Sequence, residues 1–449
     1  MLKSFVCRGR ALLLLAIGLG ALPAAHAVLP IVHWQQPGGA RVYLVENHNL
    51  PMVDVQIDVD AGTRRDPANR PGLAAVAAAQ LSSGVRARTQ EGLAALDENQ
   101  LGEAWADLGA SFAATATADR LSFSLRSLSE AGLLAQAARL AARQMAEPSY
   151  PDDVWQRDRD KMIAALRESL SRAATVAQRR FTTAVYGNHP YGAQTSPESL
   201  QHMTVSDMQR WHAGALRTCR AVVSVVGDLD RAQADRLVTQ LLALWPQQPC
   251  EALPDVANVL PLQTAEEIRV PFQAAQAQVL VGQPGIRRDD PDYFALVLGN
   301  HILGGGGFTS RLTAEVREKR GLSYSVYSHF SPALHEGAFT VGLQTRPDQA
   351  QQALTVVRDV LRTFVEQGPT AQELQAAKDN LIGGFALRID SNRKLLENVA
   401  MVAWNGLPLD YLAQWTQQMR QVSVADVQRA FARVLQPARM VTVVVGAAP

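Results

Sequence analysis

The sequence predicts an α+β protein built from two homologous domains. Two observations carry this. The chain repeats itself at long range, and within each repeat hairpin-like strands are followed by long amphipathic helices. The segment TVSDMQRWHAGALRTCRAVVSVVG (204–227) aligns without a gap to SVADVQRAFARVLQPARMVTVVVG (423–446), an offset of 219 residues. Asp207/Asp426, Gln209/Gln428, Arg210/Arg429, Leu216/Leu435, Arg220/Arg439 and Gly227/Gly446 are identical pairs. Each copy opens on a Thr or Ser cap with Asp in the first turn, runs as an amphipathic helix, and enters a Val-rich strand that stops at glycine. The offset also holds upstream, where Asp160, Met162 and Ile163 match Asp379, Leu381 and Ile382. DAGTRRD (60–66) and QPGIRRD (283–289) correspond at a slightly larger offset. Repeats this long mean paired domains, because solenoid periods are far shorter.

Along the chain, residues 1–27 come first. Lys3, Arg8 and Arg10 precede the apolar run ALLLLAIGLGALPAA, and Ala25-His26-Ala27 is a small-x-small cleavage signal. This reads as a secretory signal peptide cut after Ala27, which places the mature chain in the periplasm or outside the cell. The run is too short for a membrane anchor. The first domain spans 28–245, a proline-rich linker spans 246–264, and the second domain spans 265–449. In the first domain RVYLVE and MVDVQIDVDAG read as early strands and LSFSLRSL as a later one. EAGLLAQAARLAARQMA and DDVWQRDRDKMIAALRESLSRA read as long helices. Each domain is expected to be a mixed, mostly antiparallel sheet packed with helices, the two facing each other like the halves of a clam.

Composition excludes several partner classes. Removing residues 1–27 takes three basic side chains and leaves 40 basic against 42 acidic ones, so nothing favours nucleic acid or an anionic membrane. Two cysteines remain, Cys219 and Cys250, in an oxidising setting where they can pair; the spacing leaves that pairing open. The mature histidines are 33, 48, 189, 202, 212, 301, 329 and 335, with no pair at helical i,i+3 or i,i+4 spacing. No G-x-S-x-G and no catalytic-type cysteine context is present, which removes the common nucleophile-based hydrolases.

The stretch NHILGGGGFTSRLTAEVREKRGLSYSVYS (300–328), with YGNHPYG (186–192) and VVSVVGDLD (222–230), resembles the pitrilysin/insulinase family, which includes the mitochondrial processing peptidases. The resemblance covers essentially the whole mature chain. Active members carry H-x-x-E-H after Gly-Leu-Ala on a helix of the first domain. The histidines bind zinc, the glutamate activates water, and a later glutamate completes the ligand set. Here Gly72-Leu73-Ala74 is followed by alanines: Ala75 and Ala79 stand at the histidine positions and Ala78 at the base position. Matching the later helix puts Ala165 at the distal glutamate position. Methyl groups offer no lone pair to a metal. The resemblance therefore implies a chain with no metal of its own, zinc being held by a partner subunit.

Arg317 and Tyr324 keep the family's Arg-x6-Tyr pattern, after Ser310-Arg311-Leu312. Bare spacing also allows a surface cation and a half-buried strand residue. The resemblance implies that the pair binds substrate and the tetrahedral intermediate in a partner's zinc site, since a guanidinium and a phenol both donate hydrogen bonds to an oxyanion. Gly304, Gly305, Gly306 and Gly307 read as a tight turn needing positive φ, or as a place where a peptide backbone passes close, and Ser323 lies in an extended stretch that could accept a substrate strand. His189-Pro190-Tyr191-Gly192 reads as structural. The expected role is that of a zinc-less subunit of a heterodimeric peptidase acting on extended peptides; the rival is a homodimeric peptide-binding scaffold.

Overall fold

A computed structural model describes residues 30–247 and 250–446; the expected signal peptide lies outside the described residues. The strands are β1 (Val32–Gln35), β2 (Arg41–Glu46), β3 (Met52–Val59), β4 (Gly84–Val85), β5 (Leu96–Asp97), β6 (Ser111–Ala116), β7 (Leu121–Leu128), β8 (Val222–Gly227), β9 (Glu266–Val270), β10 (Ala277–Ile286), β11 (Ser325–Phe330), β12 (Gly337–Thr345) and β13 (Val441–Val445). β4 and β5 form a short ribbon. The others make two sheets, in the orders β1-β2-β8-β3-β7-β6 and β11-β12-β10-β13-β9. Within each sheet one pair is parallel, β2 with β8 and β9 with β13, and the rest are antiparallel. Read from β6 and from β11, the two orders are the same, with β1 as an addition at the far edge of the first. The two sheets thus share one strand order.

Helices follow the same rule. Asp152–Ser169 and Ala371–Gly383, Ala173–Tyr186 and Asn392–Trp404, and Val205–Ala215 and Val424–Val434 each start 219 residues apart. The long helix read from Asp152 onward ends sooner than its pattern suggests. Ser169 and Ser171 hydroxyls donate to the Leu166 and Glu168 carbonyls at 2.7 and 2.6 Å, turning the chain before a new helix begins at Ala173.

The two domains are joined by exchange. Helix Ala173–Tyr186 of the first domain packs on β10 and β13 of the second sheet, and helix Asn392–Trp404 of the second packs on β2, β3 and β8 of the first. Ala173, Ala177, Phe181 and Val185 recur every four residues and bury one stripe against Leu280, Ala338, Val441, Val443 and Val445. The Phe181 ring sits over Gly282, where an added Cβ would stand 2.8 Å from it. On the reciprocal seat Leu396 and Val399 meet Tyr43, Val45, Val222 and Val226, and Asn47 donates to Asn392 Oδ1 at 2.7 Å. That face of the first sheet also carries Asp58, which is fully buried. Its carboxylate takes hydrogen bonds from Arg120 at 3.0 Å and Ser122 at 2.5 Å. Burial nonetheless pushes its pKa up, against the Arg120 charge. Arg120 in turn lies over the Trp404 ring of the exchanged helix, 5.6 Å from its centre.

The HPYG turn bridges the domains. Tyr191 donates to Asp119 Oδ1 at 2.5 Å, and the same hydroxyl accepts from the His335 backbone at 3.2 Å. The other Asp119 oxygen accepts from the Leu334 backbone at 3.0 Å. Cys219 and Cys250 form a disulfide with Cα atoms 6.0 Å apart, settling the pairing the sequence left open and fixing the linker to the segment entering β8. No helix among the described residues is long and apolar enough to cross a membrane.

Truncating Phe181 empties the centre of one seat. Phe181→Ala is expected to cost about 3–5 kcal/mol of unfolding free energy, read as a lowered urea midpoint. A loss below about 1 kcal/mol would contradict the seat as a structural joint.

Candidate functional site

The alanine helix Leu73–Ala79 starts after Gly72, whose left-handed φ of 93° turns the chain into it. An added Cβ at Gly72 would stand 2.2 Å from Thr195 Oγ1. Asp66 serves as the remote cap: its carboxylate accepts from the Gly72 and Ala74 backbone N–H groups at 2.8 and 2.9 Å. Burial is the larger influence on this group and raises its pKa to about 6 despite those bonds. Leu73, Val76 and Ala77 enter the first-domain core, and Ala78 is buried with them. Ala75 and Ala79, one turn apart, are exposed on the opposite face. The Gln80 amide, at the helix end, donates to Asp158 at 3.1 Å on helix Asp152–Ser169. Ala165 is exposed on that helix seven residues beyond Asp158 and therefore on the same face.

These residues do not fit a zinc ion. The face that would carry ligands offers only methyl groups, and among the described residues no three His, Cys, Asp or Glu side chains come together as a metal-holding group. No hydrolytic step can be derived through this helix.

The second cluster lies in the second domain. Helix Tyr293–Asn300 runs into a π-helical turn, His301–Gly305, then a tight turn at Gly307–Thr309 and a second π-helical segment, Thr313–Glu318. Wide π turns re-aim side chains and concentrate at functional places. The four glycines divide the work differently from the sequence expectation. Only Gly307 has a positive φ, 60°; Gly304, Gly305 and Gly306 are required by close approach. A Cβ at Gly304 would lie 2.5 Å from the Ser328 backbone nitrogen, and one at Gly306 2.6 Å from the His301 carbonyl.

Ser310-Arg311-Leu312 anchors this loop. Ser310 donates to the Gly307 carbonyl at 2.8 Å, and Leu312 is fully buried. Arg311 grips Glu373 with two bonds of 2.7 Å and donates to the Gly368 carbonyl. The Arg311 hydrogen bond holds the Glu373 carboxyl down at about 2. Ser323 proves to be anchored as well: it is buried, and its hydroxyl donates to the Gln344 carbonyl at 2.6 Å, so its side chain is committed to the fold. What stays available there is the backbone of β11, an edge strand paired only with β12.

Arg317 and Tyr324 are brought together. The guanidinium carbon lies 4.7 Å from the Tyr324 ring centre and 4.7 Å from that of Phe308. Tyr324 is 80% exposed and Phe308 72% exposed, so the half-buried alternative for Tyr324 does not hold. A cation between two rings gains about 0.5–1 kcal/mol per exposed contact. Its Nε edge is already engaged, lying 3.3 Å from Glu318 Oε1, so only the Nη groups are left for a further acceptor. Phe308 was missed in the sequence. Its only signal there is a large aromatic placed directly after a glycine run.

Comparisons with known proteins bear on the family and the fold. The family described as peptidase M16 inactive domain matches residues 202–381, which include the glycine turn, Arg317 and Tyr324. A non-peptidase homolog, YmxG of Helicobacter pylori, is 27% identical over 388 residues, covering 85% of this chain and 86% of that one. The crystal structure of a peptidase M16 inactive domain from Pseudomonas fluorescens superposes with a TM-score of 0.87 at 34% identity, covering 94% of this chain and 98% of that one. The periplasmic protease PqqL from Escherichia coli shares the fold with a TM-score of 0.78 at 18% identity. All of this chain is covered, but only 49% of PqqL.

The cap makes a direct prediction. Asp66 should titrate near pH 6 in a carboxyl-resolved NMR experiment, against 3.8 for an ordinary aspartate. Because the folded pKa is raised, the folded state holds the proton more tightly, so this group's contribution to stability should fall as pH rises from about 4 through about 6 and then level off. A midpoint at or below 4 would contradict the burial of this cap.

Proposed function

The chain belongs to the peptidase M16 family, and we propose that within it this protein is a non-hydrolytic subunit that lends Arg317 and Tyr324 to the zinc site of a homologous partner. The observation that carries the reading is a contrast inside one chain. The ligand positions are Ala75, Ala79 and Ala165 and the base position is Ala78, while Arg317 and Tyr324 are both present and in contact, the tyrosine exposed and the arginine half-buried beside it. A guanidinium held beside a phenol, with Nη groups still to be satisfied, can bind a peptide carbonyl and strengthen its hold as negative charge develops on that oxygen. With no metal in this chain, such charge arises only when the partner supplies the activated water. The substrate is an extended peptide, and the open edge of β11 beside Tyr324 supports strand-like binding.

The assembly works in the periplasm or outside the cell. The expected signal peptide and the Cys219–Cys250 bond support this, since structural disulfides persist in oxidising compartments. The open edge of β11 also favours a second reading, a homodimer that holds peptides without cutting them.

Mixing the purified chain with a homologue that carries H-x-x-E-H separates the two. Peptide hydrolysis should require both chains, and Arg317→Ala should lower kcat/KM of the pair by roughly 10²–10³, the loss expected for one oxyanion donor. Phe308→Ala, which only frees the guanidinium to move, should cost a factor of roughly 2–5. Full activity of the Arg317→Ala pair would contradict the contribution in trans, and peptide binding with no rate effect from any homologue would favour the scaffold.

A further inference from the structure

A cavity of about 350 Å³ opens in the first domain between the end of helix Ala131–Ala146, helix Val205–Ala215 and the segment 244–246. This is within the usual range for small-molecule sites, ~300–1,000 Å³. Arg86, Tyr150, His212 and Trp245 line it, with Leu216 and Leu244 among its apolar walls.

Four features set it apart from a packing defect. First, its lining contains one guanidinium and no carboxylate. Among the described residues the Arg86 side chain has neither an ion pair nor a hydrogen-bond partner. Its charge still reaches the wall, since it acts on both Tyr150 and His212. Second, His212 cannot balance or add to that charge. Burial pushes its pKa down to about 4, and its Nε2–H donates to the Met145 carbonyl at 2.7 Å, so the imidazole is neutral. Third, Tyr150 is buried with a left-handed φ of 46°, the one such non-glycine residue among those described. Backbone strain of this kind persists only where surrounding structure enforces it, and it gathers at binding sites. Fourth, the buried indole N–H of Trp245, also in the wall, has no partner in the protein.

We propose that this cavity binds a small hydrophobic carboxylate, with Arg86 pairing the carboxylate and the Leu216 and Leu244 walls taking the apolar body. The chemistry follows from one cation, the exposed Arg86, at the edge of an otherwise neutral hollow whose wall mixes polar and apolar surface. Two sources share it: the C-terminal residue of a short peptide, and a free short-chain carboxylic acid. The site is independent of the Arg317–Tyr324 pair. It touches the alanine helix through Tyr150, whose hydroxyl donates to the Ala77 carbonyl at 3.3 Å.

Calorimetric titration of the whole mature chain with N-acetyl-L-leucine, N-acetyl-L-leucinamide and hexanoate tests it. At least one acid should bind one-to-one with Kd on the order of 1 mM, and the neutral amide should bind at least roughly tenfold more weakly. Arg86→Gln should weaken the acid by roughly tenfold or more, and Ala213→Trp, which fills the cavity from an exposed helix position, should abolish binding. Arg346→Gln, an exposed cation of the second domain, should leave it unchanged. Tighter binding of N-acetyl-L-leucine than of hexanoate assigns the site to peptide ends, and the reverse order assigns it to free acids. Equal binding of acid and amide, an unaffected Arg86→Gln variant, or no saturation by either acid up to about 50 mM would overturn the proposal.

Discussion

The structure depends on the reciprocal seating of two helices. Each domain gives one amphipathic helix to the other's sheet, so neither sheet has a covered second face without its neighbour. A sheet with one face on its own helices and the other bare exposes an apolar surface too large for a soluble domain. Ala173–Tyr186 and Asn392–Trp404 remove that problem for each other's domain. The two seats differ in chemistry. The first is a dry stripe of Ala, Phe and Val on Val and Leu. The second sits over a face carrying buried Asp58 and Asp54, each held by an arginine. Buried ion pairs add little net stability, but they penalise any misplaced partner strongly. The polar seat thereby favours one registration of the exchanged helix, while the other is a stripe of apolar contact.

With the halves joined in this way, the two copies of one topology can diverge in chemistry without loss of fold. The alanine helix keeps the packing of its inner face, through Leu73, Val76 and Ala77, and keeps its Asp66 cap. Its outer face carries only methyl groups. In the second copy, glycines and π turns bend the chain so that an arginine and two aromatic rings emerge together at the surface. One copy thus presents a bare methyl face and the other an arginine between two aromatic rings, the contrast on which the proposed role in trans rests.

Much of this was legible in the residues because it is local or repeated. The Val-rich strand after each capped helix, the 219-residue offset and the alanines after Gly72-Leu73-Ala74 are all short-range patterns. Ser169 and Ser171 ended a helix early through hydroxyl bonds that compete with the backbone, an effect periodicity does not register. The exchange of helices was not legible at all. An apolar stripe at 173, 177, 181 and 185 says that a helix is buried, not which sheet buries it. Phe308 was hidden for a related reason, since its role rests on spatial proximity to Arg317 across a turn whose path is set by the contacts of Gly304 and Gly306. The Ser323 side chain was not legible either: the extended segment was read for strand pairing, and its hydroxyl is buried and bonded to the facing strand.

Metal stoichiometry tests most directly where the metal resides. Elemental analysis of the isolated chain and of its complex with an H-x-x-E-H homologue, both equilibrated with zinc and then exhaustively dialysed, should give none bound to this chain alone and one ion per assembled pair. One tightly held ion in the isolated chain, or two in the pair, would contradict a metal held by the partner alone.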